Sequence, residues 1–167
     1  MNNTILSIGG NLGNRLENIY QAIGYIEERI GNITQRSSIY ESEPWGFEAE
    51  HRFLNVVVAV ETSLSPESLL EKIHEIEQLM GRTRFGNGYA SRTMDIDILF
   101  FNEDVINTPT LTVPHPLLHE RRFVLFPLTE IMPNKVHPIL RKSAVELLEE
   151  CRDEGLNHPC IFSHPTP

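Results

Sequence analysis

The chain has 167 residues, enough for one domain with a sizeable core, and its formal net charge is −9. The 14 Lys and Arg residues are outnumbered by 23 Asp and Glu residues, which argues against general electrostatic binding to nucleic acid or to an anionic membrane surface. The sequence has neither an apolar run of about 20 residues nor a basic, signal-like N-terminus, so we expect a cytoplasmic protein. Its two cysteines, Cys151 and Cys160, are expected to be free thiols.

The first half of the chain alternates between strand and helix patterns. Runs rich in β-branched residues mark the strands, and apolar residues at helical spacing behind an N-cap residue mark the helices. The glycine-rich turn at 9–15 lacks the spacing of a dinucleotide fingerprint or a P-loop, which favours a structural turn. The predicted elements are a strand at 4–8, a helix at 14–31, strands at 33–40 and 53–62, and a helix at 65–80.

Residues 94–101 predict a further strand that carries two carboxylates near its start. Because side chains alternate between the faces of a strand, Asp95 and Asp97 should lie on one face with their Cα atoms about 7 Å apart. Two unpaired anions this close favour a divalent cation between them, and the alternative is a solvated edge strand whose aspartates oppose aggregation. The predicted faces are Asp95, Asp97, Leu99 and Phe101 on one side, and Met94, Ile96, Ile98 and Phe100 on the other.

These elements have the order βαββαβ, which is typical of the ferredoxin-like α+β fold with two helices on one face of an antiparallel sheet. The second face would be bare, so we expect the chain after Phe101 to cover it in part or to form a site there. Ser143 and Glu146 form a capping box for a last helix. We therefore expect one domain over 1–156, with a C-terminal helical and loop extension, and a mobile tail at 157–167.

Arginines lie on both sides of the aspartate pair. Arg82, Arg84 and Arg92 belong to a loop with two glycines, and Arg121 follows later in the chain. Arginine offers a rigid fork of donors to phosphate and glycine provides hinges, so the loop could close over a polyanion; the alternative is a solvated loop paired with the many carboxylates. Carboxylates suited to Mg²⁺ beside basic clusters are what phosphoryl transfer requires, and they indicate a nucleotide-like donor.

Two further residues are ambiguous from the sequence. Asn55 shares a strand face with apolar residues, and a buried amide must be hydrogen-bonded, so it is either a satisfied core group or a ligand contact. Trp45 lies on a loop broken by Pro and Gly, where it either contributes to binding or packs on the core.

Four motifs follow one another along the chain. They are Gly81-Arg82-x-Arg84, Arg92-Thr93-x-Asp95-x-Asp97-Ile98, Val113-Pro114-His115, and Arg121-x-Phe123-Val124-Leu125-x-Pro127-Leu128. From the first strand to about Pro133, the sequence resembles the 6-hydroxymethyl-7,8-dihydropterin pyrophosphokinases of folate biosynthesis. This resemblance implies a ferredoxin-like core that uses Mg²⁺ and transfers the β,γ-diphosphate of ATP to the pterin hydroxymethyl group, leaving AMP.

The resemblance also implies roles for individual residues. Asp95 and Asp97 would hold two Mg²⁺ ions and, with Arg82 and Arg92, form the catalytic set, and a cis peptide bond would precede Pro114. The residues implied in pterin binding are Phe53 and Phe123, which would sandwich the ring, Asn55, and the backbone of Ser42 and Trp45. The residues implied in ATP binding are Leu70, His74, Glu77, Arg82, Arg84, Arg92, Ile98, Leu111, Thr112, His115 and Arg121.

The expected partners are therefore ATP and the pterin, without nucleic acid or membrane, and we expect a monomer. Two functions of other classes compete with this interpretation. A ferredoxin-like RNA-binding module would need aromatic residues within a basic sheet face, which the net charge disfavours. A non-catalytic nucleotide or metal sensor would bind the same ligands without turnover.

Overall fold

The computed structural model describes residues 1–43, 51–81 and 94–154 and, for the backbone alone, 157–159. The predicted order βαββαβ is present except that one predicted strand is divided in two, and a C-terminal extension follows. A short 3₁₀ helix at Leu118–Glu120 precedes the third α-helix. The elements are β1 (Asn2–Gly10), α1 (Arg15–Arg29), β2 (Asn32–Arg36), β3 (Tyr40–Ser42), β4 (Phe53–Thr62), α2 (Pro66–Leu79), β5 (Asp95–Phe101), β6 (Ile106–Asn107), β7 (Thr112–Val113), α3 (Arg122–Ile131), α4 (Ala144–Glu150) and β8 (Asn157–Pro159).

The main sheet is antiparallel and has the strand order β5-β1-β4-β3-β8, with β2 also paired to β4. The region predicted as one strand at 33–40 forms two strands, β2 and β3. Ser37 lies between them, and its buried hydroxyl accepts the backbone N–H of Val57 at 3.0 Å. A side-chain oxygen thus replaces a backbone carbonyl in the ladder, which interrupts the strand without leaving a buried donor unpaired.

Both faces of this sheet are covered. α1 and α2 pack on one face, and α3 and α4, from the C-terminal extension, pack on the other, as the bare second face led us to expect. The core under α1 and α2 includes Leu6, Ile8, Ile19, Ile23, Ile26, Val56, Val58, Leu69, Ile73, Ile76, Ile96, Ile98 and Phe101. The core under α3 and α4 includes Ile5, Val57, Leu99, Phe100, Val124, Leu125, Leu128, Ala144 and Leu147.

The face assignment predicted for β5 is wrong at its last two residues. Leu6 pairs with Ile98 and Ile5 pairs with Phe100, so Leu99 has no partner in β1. This β-bulge reverses the alternation beyond it. Phe100 consequently packs under α3 and α4, and Phe101 packs under α1 and α2.

The predicted helix starts are present. Asn14 and Ser65 accept the backbone N–H groups of Glu17 and Ser68, each at 3.2 Å, and Ser143 forms the predicted capping box with Glu146 at α4. These caps satisfy donors that a helix start otherwise leaves unpaired.

The end of the chain differs in part from expectation. The backbone of β8 pairs with β3 at the sheet edge, a strand that the sequence did not predict, and residues 160–167, including Cys160, lie outside the described part. Cys151 is a buried free thiol. Among the described helices, none has the length and apolar character needed to cross a membrane.

Candidate functional site

A pocket of about 280 Å³ opens beside β5, an edge strand of the sheet. Because β5 is an edge strand, residues from both of its faces reach this pocket. α2 forms one wall, and the segment around β7 forms another. The lining residues are Leu70, His74, Glu77, Asp95, Ile96, Asp97, Ile98, Thr110, Leu111, Thr112, His115 and Pro116.

The two aspartates point from the same face of β5 and are half-buried. Asp95 pairs with Gly9 of β1, and Asp97 pairs with Ser7. Within the described ranges, no group of three or more His, Cys, Asp or Glu side chains could enclose a metal ion. Two carboxylates nevertheless fit Mg²⁺, which is usually held by one or two carboxylates together with substrate phosphates and waters.

His115 is held in the pocket through both its backbone and its ring. Its backbone N–H donates to the carbonyl of Leu99 at 3.0 Å, and its ring Nδ1 accepts the backbone N–H of Leu117 at 3.1 Å. Burial, followed by the positive charge of Arg121, lowers the pKa of His115 to about 4, although Asp95 acts in the opposite direction. The ring is therefore neutral near pH 7 with its proton on Nε2, where it can donate a hydrogen bond.

Glu77 links α2 to the aspartate strand. Its side chain is 1% exposed, and its Oε2 accepts the backbone N–H of Ile96 at 3.0 Å. Ile96 lies between the two aspartates, so this bond fixes β5 where both carboxylates emerge. Glu77 also lines the pocket, and its bond to Ile96 is a structural contact that the sequence did not indicate.

Three of the residues implied in pterin binding, Ser42, Phe53 and Asn55, lie on the sheet face that bears the aspartates. The Asn55 amide donates to Ser42 Oγ at 2.6 Å, and both side chains are buried. In the strand register, Ser42 lies opposite Phe53. Asn55 is thus a hydrogen-bonded amide beside a half-buried aromatic ring.

Gly9 separates Asn55 from Asp95. It pairs with Asn55 of β4 on one side and with Asp95 of β5 on the other. A Cβ atom at Gly9 would lie 2.8 Å from Asn55 Oδ1, so the glycine leaves room for the amide. The glycine-rich pattern predicts only a structural turn at Gly9, because its neighbours Asn55 and Asp95 are evident from the strand register and not from the local sequence.

The start of α3 brings an aromatic ring and a cation to the same face of the sheet. Phe123 is half-buried against the core under α3 and α4, and the guanidinium of Arg121 lies 5.7 Å from its ring centroid. Arg121 is 8% exposed, and its charge acts on His115. It therefore lies between the ring of Phe123 and the pocket beside β5.

Four residues of the predicted site fall outside the described ranges. They are Trp45, Arg82, Arg84 and Arg92. The cis peptide bond that the resemblance implies is present at Val113-Pro114, directly before His115.

This fold and site define a ferredoxin-like α+β protein with a carboxylate-lined pocket on an edge strand of its sheet. Residues 5–133 match the family described as 7,8-dihydro-6-hydroxymethylpterin-pyrophosphokinase (HPPK). The chain belongs to this family.

Similar proteins cover most of the chain. It is 45% identical over 146 residues to the 2-amino-4-hydroxy-6-hydroxymethyldihydropteridine pyrophosphokinase of Aquifex aeolicus, covering 87% of this chain and 89% of that protein. A Bacillus subtilis protein of the same name is 44% identical over 133 residues, covering 78% of this chain and 79% of that protein.

The fold also matches solved structures. The Plasmodium falciparum HPPK-DHPS wild type with pteroate aligns with a TM-score of 0.74 and 18% identity, covering 89% of this chain and 44% of that chain. This chain thus spans less than half of that longer protein, and at this identity the likeness shows the fold alone.

Proposed function

We propose that the protein transfers the β,γ-diphosphate of ATP to the hydroxymethyl group of 6-hydroxymethyl-7,8-dihydropterin, giving AMP and the pterin diphosphate in folate biosynthesis. The observation that carries this proposal is the position of Asp95 and Asp97. They line the same pocket as seven of the residues implied in ATP binding, and they share a sheet face with the Asn55–Ser42 pair. The seven are Leu70, His74, Glu77, Ile98, Leu111, Thr112 and His115. A donor site and an acceptor site thus meet at the two carboxylates.

The acceptor is bound by residues on β3, β4 and α3. Phe53 and Phe123 stack on the two sides of the pterin, while Asn55 and backbone groups of Ser42 and Trp45 hydrogen-bond its edge. Asn55 and Asp95 lie on strands separated by β1, which places the strands about 9–10 Å apart. A bicyclic ring anchored at Asn55 can span this distance and place its hydroxymethyl arm beside Asp95.

The donor occupies the pocket beside β5. Leu70, Ile98 and Leu111 provide apolar surface for adenine, with His74, Glu77 and Thr112 on the same lining. The neutral His115 donates from Nε2, and Arg121 adds positive charge close by. Arg82, Arg84 and Arg92 supply further positive charge to the phosphates from their loop.

Asp95 and Asp97 would hold Mg²⁺, and we propose two ions. When bound there, Mg²⁺ neutralises phosphate charge and lowers the pKa of the attacking hydroxyl. The two carboxylates help to hold the hydroxymethyl oxygen close to the β-phosphorus that it attacks. The hydroxyl proton passes to Asp97 or to water. The protein contributes mainly positioning, as is typical of phosphoryl transfer.

We further propose a monomeric cytoplasmic enzyme whose catalytic domain comprises residues 1–156. The net charge of −9 supports small-molecule substrates rather than a nucleic-acid or membrane partner.

Product analysis tests the reaction. Incubation with ATP, Mg²⁺ and the reduced hydroxymethylpterin should yield AMP in amounts equal to the pterin consumed, and Asp95→Asn should abolish its formation. Formation of ADP by the wild type, or of AMP without the pterin, would contradict the proposal.

A further inference from the structure

Glu130, near the end of α3, binds the chain that leads into β3. Its Oε1 accepts the hydroxyl of Tyr40 at 2.6 Å, and its Oε2 accepts the backbone N–H and the hydroxyl of Ser38 at 2.8 and 3.1 Å. Burial, reinforced by the hydrogen bond and charge of Glu130, raises the pKa of Tyr40 above its usual range, so the phenol stays a donor. These bonds join residues about ninety positions apart in the sequence.

An aromatic contact reinforces this attachment. The rings of Tyr40 and Phe126 stack with centroids 6.3 Å apart and planes 13° from parallel. On α3, Phe123, Phe126 and Glu130 are spaced i, i+3 and i+7, which places them along one side of the helix. Glu130, at one end of this stripe, is therefore bound to the start of β3. Phe123, at the other end, carries the ring implied in pterin binding.

The strand side of the attachment belongs to the same site. In the β3–β4 register, Tyr40 lies opposite Asn55 and Ser42 lies opposite Phe53, and opposed residues share a sheet face. Tyr40, which binds Glu130, and Ser42, which is implied in pterin binding, thus lie on the same face of one short strand. The angle of α3 relative to β3 determines how far Phe123 lies from Phe53 and Asn55.

Core packing and the bonds of Arg122 to Asp153 and Cys151 hold the start of α3, and Glu130 provides a second attachment near its end. The buried residues of α3 are Val124, Leu125, Pro127 and Leu128, and three of them, Val124, Leu125 and Leu128, belong to the core between the helix and the sheet. These apolar contacts resist detachment of the helix, and polar bonds outside the buried stripe add resistance to rotation of the helix about its axis. Glu130 is solvent-exposed and lies off that stripe, so its bonds oppose this rotation while adding little to the core.

We propose that Glu130 is a positioning residue for the pterin site, acting through Ser38 and Tyr40 to set the position of Phe123 opposite the Asn55–Ser42 pair. This inference rests on the proposed function, because it takes Phe123 and Asn55 as pterin contacts. It assigns to an exposed glutamate, distant from the aspartates, an effect on one substrate only.

Steady-state kinetics of Glu130→Ala test this assignment. The KM for the pterin should rise about five- to twentyfold, whereas the KM for ATP should stay within about twofold, since a displaced ring costs binding on the pterin side alone. Glu130→Gln, which keeps an acceptor oxygen, should recover part of the loss. Glu150→Ala, which removes another exposed glutamate that accepts a lysine at 2.6 Å, is the matched control and should behave as wild type.

Tyr40→Phe keeps the ring stack and removes the hydroxyl, so it extends the test to a double-mutant cycle. If Glu130 acts through Tyr40, the KM increases of the two single variants should not multiply in the double variant. An unchanged pterin KM in Glu130→Ala, equal increases in both KM values, or full multiplicativity would overturn the proposal.

Amide hydrogen exchange separates this proposal from the proposed reaction. In Glu130→Ala, amides in the first turns of α3 should exchange faster, with α4 unchanged, whether or not the wild type makes AMP. A wild type that makes no AMP would refute the proposed reaction. Unchanged exchange in α3 would refute the role of Glu130.

Discussion

The backbone N–H of His115 donates to the carbonyl oxygen of Leu99 at 3.0 Å, and Leu99 is the residue of β5 that has no partner in β1. The bulge thus attaches the segment after β7 to the strand that carries Asp95 and Asp97. β-bulges often lie next to active sites, where they redirect a strand or a side chain. Here the carbonyl of Leu99, the bulged residue, binds the backbone of His115 and so holds this neutral histidine beside the carboxylates. The β-bulge thus helps to form the site.

Removal of one carboxylate should stop the reaction without unfolding the chain. Asp97→Asn keeps the size of the side chain and removes its charge, so we expect kcat to fall at least about a hundredfold, with a melting temperature close to that of the wild type. Rapid-quench measurement of AMP formation checks this. Asp104→Asn, at an exposed position outside the pocket, is the control, and a kcat for Asp97→Asn within threefold of wild type would exclude a metal role for Asp97.

A methyl group at Gly9 should disturb the pterin side of the site. The new Cβ would lie 2.8 Å from Asn55 Oδ1, and Asn55 cannot move without weakening its bond to Ser42. We expect Gly9→Ala to lose about 1–3 kcal/mol of unfolding free energy and to raise the KM for the pterin.

Gly24→Ala is the matched control for this change. Gly24 lies within α1, and nothing lies within 4 Å of a Cβ built there, so the substitution should stabilise the protein by about 0.5–1 kcal/mol and leave both KM values unchanged. Urea denaturation and steady-state kinetics measure both variants. If the two glycine variants had the same effect, close contact at Gly9 would not explain its presence.

Truncation of Asn55 should affect pterin binding and stability together. Asn55→Ala removes a buried amide and leaves the Ser42 hydroxyl without this partner, so we expect about 1–3 kcal/mol of destabilisation and a rise of at least about tenfold in the pterin KM. Titration calorimetry with the pterin and with ATP distinguishes the two substrates. Weakened ATP binding with normal pterin binding would contradict the placement of the acceptor.

His115 should make the stability of the protein depend on pH. Its pKa is lowered from 6.5 to about 4, so the folded protein resists protonation that the unfolded chain accepts. The contribution of His115 to the free energy of unfolding is therefore fully present above pH 6.5 and is lost as the pH falls towards 4. By pH 4.5 the free energy of unfolding should have decreased by roughly 2–3 kcal/mol on this account.

Denaturant titrations between pH 7.5 and 4.5 test this dependence. His115→Gln should show a shallower fall in unfolding free energy than the wild type, while His51→Gln, at an exposed position, should follow the wild type. Identical slopes for the wild type and His115→Gln would show that another group carries the effect.

Much of the fold could be predicted from local patterns because its signals are local. The caps at Asn14, Ser65 and Ser143 and the helical spacing of apolar residues specify the helices from within their own segments. The aspartate pair was equally visible, since its two carboxylates stand at the start of an otherwise apolar strand.

The missed features depend on pairing between distant segments. The bulge at Leu99 exists only in the register with β1, and the role of Gly9 requires both of its neighbouring strands. Likewise, the bonds of Glu130 to Ser38 and Tyr40 cross about ninety residues, and no local pattern indicates them. Individual residues could be assigned to the site from the sequence, whereas the contacts that hold these residues in place could not be predicted from it.

The most direct test of diphosphate transfer uses ATP that is labelled at a single phosphate and measures which product carries the label. With ATP labelled at the γ-phosphate, Mg²⁺ and the reduced hydroxymethylpterin, the label should appear in the pterin diphosphate. With ATP labelled at the α-phosphate, it should appear in AMP alone. Transfer of the γ-label as a single phosphate, with the α-label recovered in ADP, would contradict diphosphate transfer at Asp95 and Asp97.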